Sequence, residues 1–290
     1  MYKNIILTGD KGLIGLELYN MLRCNTEIRD KVSVAPKIYG FDSGSSFKTW
    51  LSDFHHFKSK LTDVDLIIHC GGVSDSRVND GSLWELNYEA TRLLGQVAEY
   101  YDAHFLFFSS SHAIEPKTAY GWSKKVAENL LRYMLPRENL CIFRVFNVWH
   151  WHESNKANPS IIYKMLYRQL EKVYKGCFRD FIHVSDVCEA VKVVLKGWQA
   201  GVYEIGTGVP IDLVAFISTL YQELSIDLSL PEIVECPVEK VLVANDSFAL
   251  PYFYPKQGKV FNYLNEFVAF MNDYHIAEDQ PTDNPYTNKD

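Results

Sequence analysis

Apolar residues in this chain fall in two alternating registers, short unbroken runs and longer stretches with a helical repeat. Asn4-Ile5-Ile6-Leu7-Thr8 is a run of buried-strand type, and Leu16 to Leu22 follows it with helical spacing. Lys37-Ile38-Tyr39-Gly40-Phe41 predicts a second strand, the polar stretch from Asn25 to Ala35 before it reading as a loop. Asp65-Leu66-Ile67-Ile68-His69 predicts a third, ending in the small residues Cys70-Gly71-Gly72. Asp80-Gly81 then opens a helix from about Ser82 to Tyr101. Phe105-Leu106-Phe107-Phe108 predicts a fourth strand running into Ser109-Ser110-Ser111, with a helix over about Ala119 to Tyr133 after it. Strands alternating with helices predict βαβ units and an α/β fold with a doubly wound, mostly parallel sheet. Further on, the pattern predicts helices over Pro159–Val173, Val187–Trp198 and Ile211–Leu224, with Phe181-Ile182-His183-Val184 returning to the sheet.

Composition narrows the classes. The 290 residues suffice for one large or two modest domains with ample core. A net charge of −7 leaves no footprint for nucleic acid. No signal peptide is expected ahead of the first strand, and no apolar run reaches the ~18 residues of a membrane span, so a cytoplasmic protein is expected. Cys24, Cys70, Cys141, Cys177, Cys188 and Cys236 lack metal-ligand spacing and read as reduced thiols, most of them in the core. His150 and His152 stand two apart in a loop with only Glu153 beside them, so no metal site is expected.

Two stretches carry chemistry. Gly9-Asp10-Lys11-Gly12-Leu13-Ile14-Gly15 places glycines three apart in a strand-to-helix turn. There they permit a sharp turn, close approach of a pyrophosphate and tight helix–strand packing. That is the pattern of a dinucleotide site, with Leu13 and Ile14 among its cofactor-binding residues. Asp42, at the end of the second strand, suits the adenosine ribose hydroxyls and favours NAD over NADP, although Lys48 nearby blurs the choice. In the second stretch, Tyr120 and Lys124 are four apart and share a helix face. An ammonium beside a phenol lowers its pKa towards a useful acid/base range, and a serine close by can hold a substrate oxygen. A strand that ends in serines is where an open α/β sheet places its site. His69 reads as a residue packed at a strand end.

Together these residues resemble the extended short-chain dehydrogenase/reductase superfamily, the NAD-dependent sugar-nucleotide epimerases and dehydratases. The motifs are Thr8-Gly9-x-x-Gly12-x-x-Gly15, Asp42, Ser111, Tyr120-x-x-x-Lys124 and Arg144-x-x-Asn147-Val148. Arg179-Asp180-Phe181-Ile182-His183-Val184-Ser185-Asp186-Val187 and Gly201-Val202-Tyr203-Glu204-Ile205-Gly206-Thr207-Gly208 follow in family order, so the likeness spans residues 3 to about 273. It implies a Rossmann-type doubly wound sheet over 1–148 plus 178–204 that binds NAD or NADP. It also implies a small discontinuous α/β substrate domain over 149–177 plus 205–273, and a disordered polar tail at 277–290. By the same resemblance Tyr120 is the acid/base, Lys124 its tuner and ribose ligand, and Ser111 a donor to the developing oxyanion. Gly71 and Asn87 join the cofactor site, and Ser74, Asn147 and Arg179 the substrate site. The family members most similar to it are the ADP-glycero-manno-heptose 6-epimerases, which place a second base at the position of Lys156.

The chain also departs from the family. Tyr120 follows Ser111 by only nine positions, a shorter interval than sugar-nucleotide epimerases usually have, and Trp149-His150-Trp151-His152 replaces a common Tyr-Gly-Pro-Arg. The segment between Lys156 and Arg179 is short too. These positions face substrate in the family, so substrate identity stays open. His112-Ala113 stand where a 4,6-dehydratase carries Asp-Glu, which counts against dehydration. The resemblance thus implies an epimerase of a nucleotide-linked sugar. A keto-deoxy-sugar-nucleotide reductase/epimerase of the GDP-fucose synthase kind and a non-catalytic NAD-binding relative are the alternatives. The two long helices carry apolar residues on more than one face, and relatives use such faces to form a homodimer.

Overall fold

A computed structural model describes residues 2–24, 32–41, 47–75, 77–150, 161–166, 171–223 and 231–255. The elements run β1 (Tyr2–Thr8), α1 (Leu13–Cys24), β2 (Val32–Phe41), α2 (Phe47–Lys58), β3 (Leu66–His69), α3 (Gly81–Trp84), a π-helical turn (Glu85–Glu89) and α4 (Ala90–Tyr101). β4 (His104–Ser110), a 3₁₀ turn (Ser111–Ala113), α5 (Ala119–Met134), β5 (Leu140–Val145), β6 (Asn147–Trp149) and α6 (Ile161–Leu166) follow. The chain continues through β7 (Lys172–Arg179), β8 (Phe181–His183), α7 (Val184–Lys196), β9 (Gly201–Ile205), β10 (Ile211–Asp212), α8 (Leu213–Glu223) and β11 (Glu232–Leu242).

The central sheet has six strands in the order β2-β1-β3-β4-β5-β9, with every neighbouring pair parallel. A parallel sheet is covered on both faces, and its strands sort their side chains residue by residue. Ile5, Leu7, Leu66, Ile68, Leu106, Phe108 and Phe143 point to one core, with Leu18 and Leu22 of α1 and Val187, Val191 and Val194 of α7. Ile6, Ile67, Phe105, Phe107 and Ile142 point to the other, with Trp50 and Phe54 of α2, Leu94 and Val97 of α4, and Leu131 of α5. The chain leaves β1 for β2 on one side and then returns to β3 on the other. That reversal opens a crevice beyond the carboxyl ends of β1 and β3, where doubly wound sheets bind ligands.

Two small sheets complete the fold, β10-β7-β11 and the parallel pair β6-β8. They require corrections to the sequence reading. The helix expected over Pro159–Val173 is limited among the described residues to Ile161–Leu166, and from Lys172 the chain is strand β7. Lys172 and Lys175 on β7 face Glu232 and Glu235 on β11 at 3.1 and 3.0 Å, so cross-strand charge pairing takes over from helical spacing. Likewise Ile211 and Asp212 pair with β7 and α8 starts at Leu213, where Asp212 accepts from the Ala215 amide at 2.8 Å. The second strand starts at Val32 rather than Lys37. Cys24, expected among core thiols, is exposed, while Cys141, Cys177 and Cys188 are buried.

Candidate active site

The glycine turn is built by contact. Gly9 has φ +70°, and a Cβ there would meet the Gly71 backbone at 2.8 Å. A Cβ on Gly15 would lie 2.0 Å from the Gly9 carbonyl oxygen, so α1 packs against the turn only with glycine there. The Gly12 amide donates to the Gly9 carbonyl at 2.9 Å, and α1 begins at Leu13. The first-turn amides of Leu13 and Ile14 have no partner within a helix and point outward from its positive end. This arrangement fits a dinucleotide pyrophosphate. Gly71 and Gly72 continue the wall from the end of β3; a Cβ on Gly72, at φ +138°, would strike the Asn87 carboxamide.

A buried hydrogen-bond relay ties this turn to α5. The Gly71 amide donates to Thr8 Oγ1 at 3.1 Å, and Thr8 Oγ1 lies 2.5 Å from His69 Nδ1. On the other side, His69 Nε2 is 2.9 Å from Thr91 Oγ1, whose proton goes to the Asn87 carbonyl at 2.8 Å. The two hydroxyls therefore select a neutral imidazole with its proton on Nε2. Burial, reinforced by the charge on Lys124, lowers the His69 pKa to about 3. Asn87 sits on the π-helical turn, which turns its carboxamide inward. Its Oδ1 accepts from the Val73 amide at 2.8 Å, and its Nδ2 donates to the Val73 carbonyl at 3.0 Å and to Ser123 Oγ at 2.9 Å. Ser123 Oγ in turn donates to the Tyr120 carbonyl at 2.8 Å. Asn87 thus acts first as a brace between the loop after β3 and α5.

Tyr120 and Lys124 lie in the first turns of α5, which Thr118 caps by accepting from the Gly121 amide at 3.1 Å. Both side chains are buried. Two expectations need correction. Burial raises the Tyr120 pKa, the neighbouring Ser110 hydroxyl opposes that rise, and Lys124 is not among the groups that move it. Lys124 Nζ instead donates to the Phe108 carbonyl at 3.1 Å and lies 5.1 Å from the centre of the Phe107 ring. Burial pulls that ammonium down to about 8, against the opposing influence of Cys70 and Glu128. The hydroxyl that opposes the rise at the phenol is that of Ser110, one residue before the Ser111 of the sequence reading. Ser111 is buried one residue on, in the 3₁₀ turn that Ser110 caps. In an extended strand neighbouring serines face opposite ways, so the sequence identifies the serine cluster but not which member meets Tyr120.

The remaining expected residues converge less directly. Asn147 Nδ2 donates to the Asp180 carbonyl at 2.8 Å and so anchors β8. Asp180 is the larger omission. Fully buried, it accepts from the amides of Thr207, Gly208 and Ala244 at 2.8, 2.9 and 3.1 Å and from the Thr207 hydroxyl at 2.6 Å. Four bonds satisfy a buried carboxylate and fasten three loops together. Arg179 ends β7, with one guanidinium nitrogen on the Phe178 carbonyl at 3.1 Å, and its charge reaches His112. Ser74 is exposed on the loop after β3. Asp42 and Lys156 lie outside the described residues, as does the stretch expected to form the tail.

Comparison with known proteins agrees with this geometry. The model of a family described as the NAD dependent epimerase/dehydratase family matches residues 5–206. An ADP-L-glycero-D-manno-heptose-6-epimerase from Helicobacter pylori is similar in fold with a TM-score of 0.73 at 19% identity, over 93% of this chain and 96% of its own. A dTDP-glucose 4,6-dehydratase from Streptomyces venezuelae, solved with NAD, gives 0.73 at 19% identity over 93% and 97%. A UDP-glucuronic acid 4-epimerase from Bacillus cereus, also solved with NAD, gives 0.70 at 17% over 91% and 99%.

Proposed function

The chain belongs to the NAD dependent epimerase/dehydratase family, and we propose that it is an NAD-dependent epimerase of a nucleotide-linked sugar, of the ADP-heptose 6-epimerase kind. The observation that carries this reading is the placement of Tyr120 and Lys124 on one face of α5 at the carboxyl end of β4, with Lys124 Nζ on the Phe108 carbonyl and 3.5 Å from where a Cβ on Gly72 would stand. A nicotinamide cofactor held by Gly9, Gly12, Leu13, Ile14, Gly15 and Gly71 supplies the oxidant for a sugar carbinol. Tyr120 takes the carbinol proton through its phenol oxygen and later returns it, while the serine hydroxyls hold the oxygen as charge develops. Lys124, already depressed towards neutrality, supplies positive charge near the ribose and the phenol when it turns from Phe108.

Residues 149–177 and 205–273 form the substrate-binding part in this reading, with Asn147, Arg179 and Ser74 at its border and Lys156 as a second base across the sugar. NAD is favoured over NADP by Asp42 and by the NAD in the solved relatives. Mass spectrometry of the small molecule released from denatured purified protein tests the core of this reading. Retained NAD is the expected result. Purification with NADP instead favours the reductase/epimerase alternative, and a protein that takes up neither cofactor overturns the reading.

A further inference from the structure

The helical run from Gly81 to Tyr101 changes its winding at the π-helical turn Glu85–Glu89. The closing bond of that turn runs from the Ala90 amide to the Glu85 carbonyl, five residues back instead of four. Plain α winding there would rotate Asn87 by about 100°, one residue of a 3.6-residue turn. Its carboxamide would then leave the Val73 amide, the Val73 carbonyl and Ser123 Oγ, which it meets at 2.8, 3.0 and 2.9 Å. Something must hold the wider turn. The Thr91 hydroxyl gives its proton to the Asn87 carbonyl at 2.8 Å, inside the turn itself, and its oxygen is met by His69 Nε2 at 2.9 Å. His69 is fixed from the opposite ring nitrogen by Thr8 on β1. Asn87, Thr91 and His69 are all buried, so water does not compete for these bonds.

The relay ends in the Gly71 amide and the Asn87 carbonyl, groups that neither gain nor lose a proton, so it cannot conduct one. It can only hold geometry. Resting on the epimerase reading above for the role of Tyr120, we infer that His69 and Thr91 are positioning residues for the reaction. They lock the π turn in the register that points Asn87 into the site. Asn87 in that register pins the loop after β3 on one side. On the other it holds Ser123, whose hydroxyl fixes the Tyr120 carbonyl. Lys124 stands beside the same joint: a Cβ on Gly72 would strike the Asn87 carboxamide and lie 3.5 Å from Lys124 Nζ. Loss of the register therefore disturbs the wall beside Lys124 and the first turn of α5 together. His69 does this from the core, without touching substrate, cofactor or Tyr120.

Amide hydrogen exchange followed by NMR tests the register without any substrate. The Val73 amide, on Asn87 Oδ1, reports the turn, and amides of β1 and β4 report global opening. Thr91→Val keeps the branched shape and removes the hydroxyl. It is expected to speed Val73 exchange by at least ~10-fold beyond any change in β1 and β4, the scale of one net hydrogen bond. Thr91→Ser is expected to restore wild-type exchange. His69 supplies a second pair, which decides if Thr91→Val fails to fold. Glutamine places a nitrogen where Nε2 stands and keeps the partner of Thr91, whereas asparagine reaches only as far as Nδ1 and loses it. His69→Gln is expected to match the wild type at Val73, and His69→Asn to match Thr91→Val. With a nucleotide sugar that the protein turns over, Thr91→Val is expected to lower kcat by about 10²-fold, the cost of a ~1 Å misplacement, with KM within about two-fold and both kept by Thr91→Ser. Val73 exchange unmoved in Thr91→Val and His69→Asn, or acceleration spread evenly over β1 and β4, overturns the inference, as does selective exchange with kcat intact. Selective exchange in a protein that takes up neither NAD nor NADP would uphold the hold on Asn87 and sink the epimerase reading. Retained NAD beside an unmoved Val73 would do the reverse.

Discussion

Glu128 on α5 and Arg144 on β5 are joined by two parallel charge-assisted hydrogen bonds, Nε to Oε1 at 3.0 Å and Nη2 to Oε2 at 2.8 Å. Both side chains are buried, and Ser109 donates to the same Oε1 at 2.6 Å. The pair lies one helical turn beyond Lys124 and fixes α5 to the ends of β4 and β5, so it sets where Tyr120 stands. Removing one partner of a buried pair leaves an uncompensated charge and costs roughly 3–5 kcal/mol. Glu128→Ala is expected to lower unfolding free energy by that order in denaturant titration. A loss below ~1 kcal/mol would show that the pair does not brace the helix.

The 2.0 Å approach that a Cβ on Gly15 would make to the Gly9 carbonyl leaves no room for the smallest side chain. Gly15→Ala must push α1 off the turn that carries the Leu13 and Ile14 amides. Cofactor content after purification is expected to fall by an order of magnitude or more, against a smaller loss of global stability. A Gly15→Ala protein that retains full cofactor would remove the glycine turn from the binding site.

Tyr120→Phe deletes the phenol oxygen, while the ring still packs against His112. Turnover of a nucleotide sugar is expected to drop by at least ~10²-fold with cofactor content unchanged. Lys156→Met is expected to impair epimerisation with cofactor binding intact if Lys156 is the second base. Comparable turnover in the wild type and Tyr120→Phe would remove Tyr120 from the chemistry.

The sequence carried most of the scaffold because the signals there are local. An apolar run ending in serines, glycines three apart after a strand, and a Tyr and Lys four apart on one helix each state a backbone requirement. What it did not carry depends on direction and distance. Lys124 and Tyr120 share a helix face, yet the ammonium turns to the Phe108 carbonyl, and nothing in the spacing reveals that. Ser110 and Ser111 differ only in which way the strand end turns them. Asp180 reads as one acidic residue in a motif, and its role appears only when Thr207, Gly208 and Ala244 are folded around it. Strands β7 and β11 pair across more than fifty residues, so local periodicity at 159–173 suggested a longer helix than the chain forms.

Among the described residues, α4 and α5 each carry exposed large aromatics. On α5, Trp122 and Tyr133 are eleven residues apart, three turns, with Trp122 51% and Tyr133 91% exposed; on α4, Tyr100 is 81% exposed. Large aromatics aligned on neighbouring helices suit a self-complementary interface about a two-fold axis. Light scattering is expected to give a dimer mass at micromolar concentration, shifted to monomer by Trp122→Glu with Tyr133→Glu. A monomer mass for the wild type would refute the proposed assembly.

His69 predicts the acid limb of stability. Its folded pKa of about 3 lies below the ordinary value of 6.5, because protonation would charge a buried ring already hydrogen-bonded on both nitrogens. Between those two values the unfolded chain holds one more proton than the folded chain. Stability therefore rises with pH across that window and is lost on acidification, by about 1.4 kcal/mol per pH unit for this one group. Above the window the imidazole is neutral in both states and its contribution is fully present. His69→Gln removes the titration while keeping a buried polar group, at some cost in stability at neutral pH because one ring bond is lost. Its unfolding free energy should then fall between pH 7 and pH 4 by about 3 kcal/mol less than that of the wild type, summing the same slope over the window. Urea titrations at the two pH values decide the matter. Parallel pH profiles for the two proteins would mean that His69 is not the buried neutral link between Thr8 and Thr91.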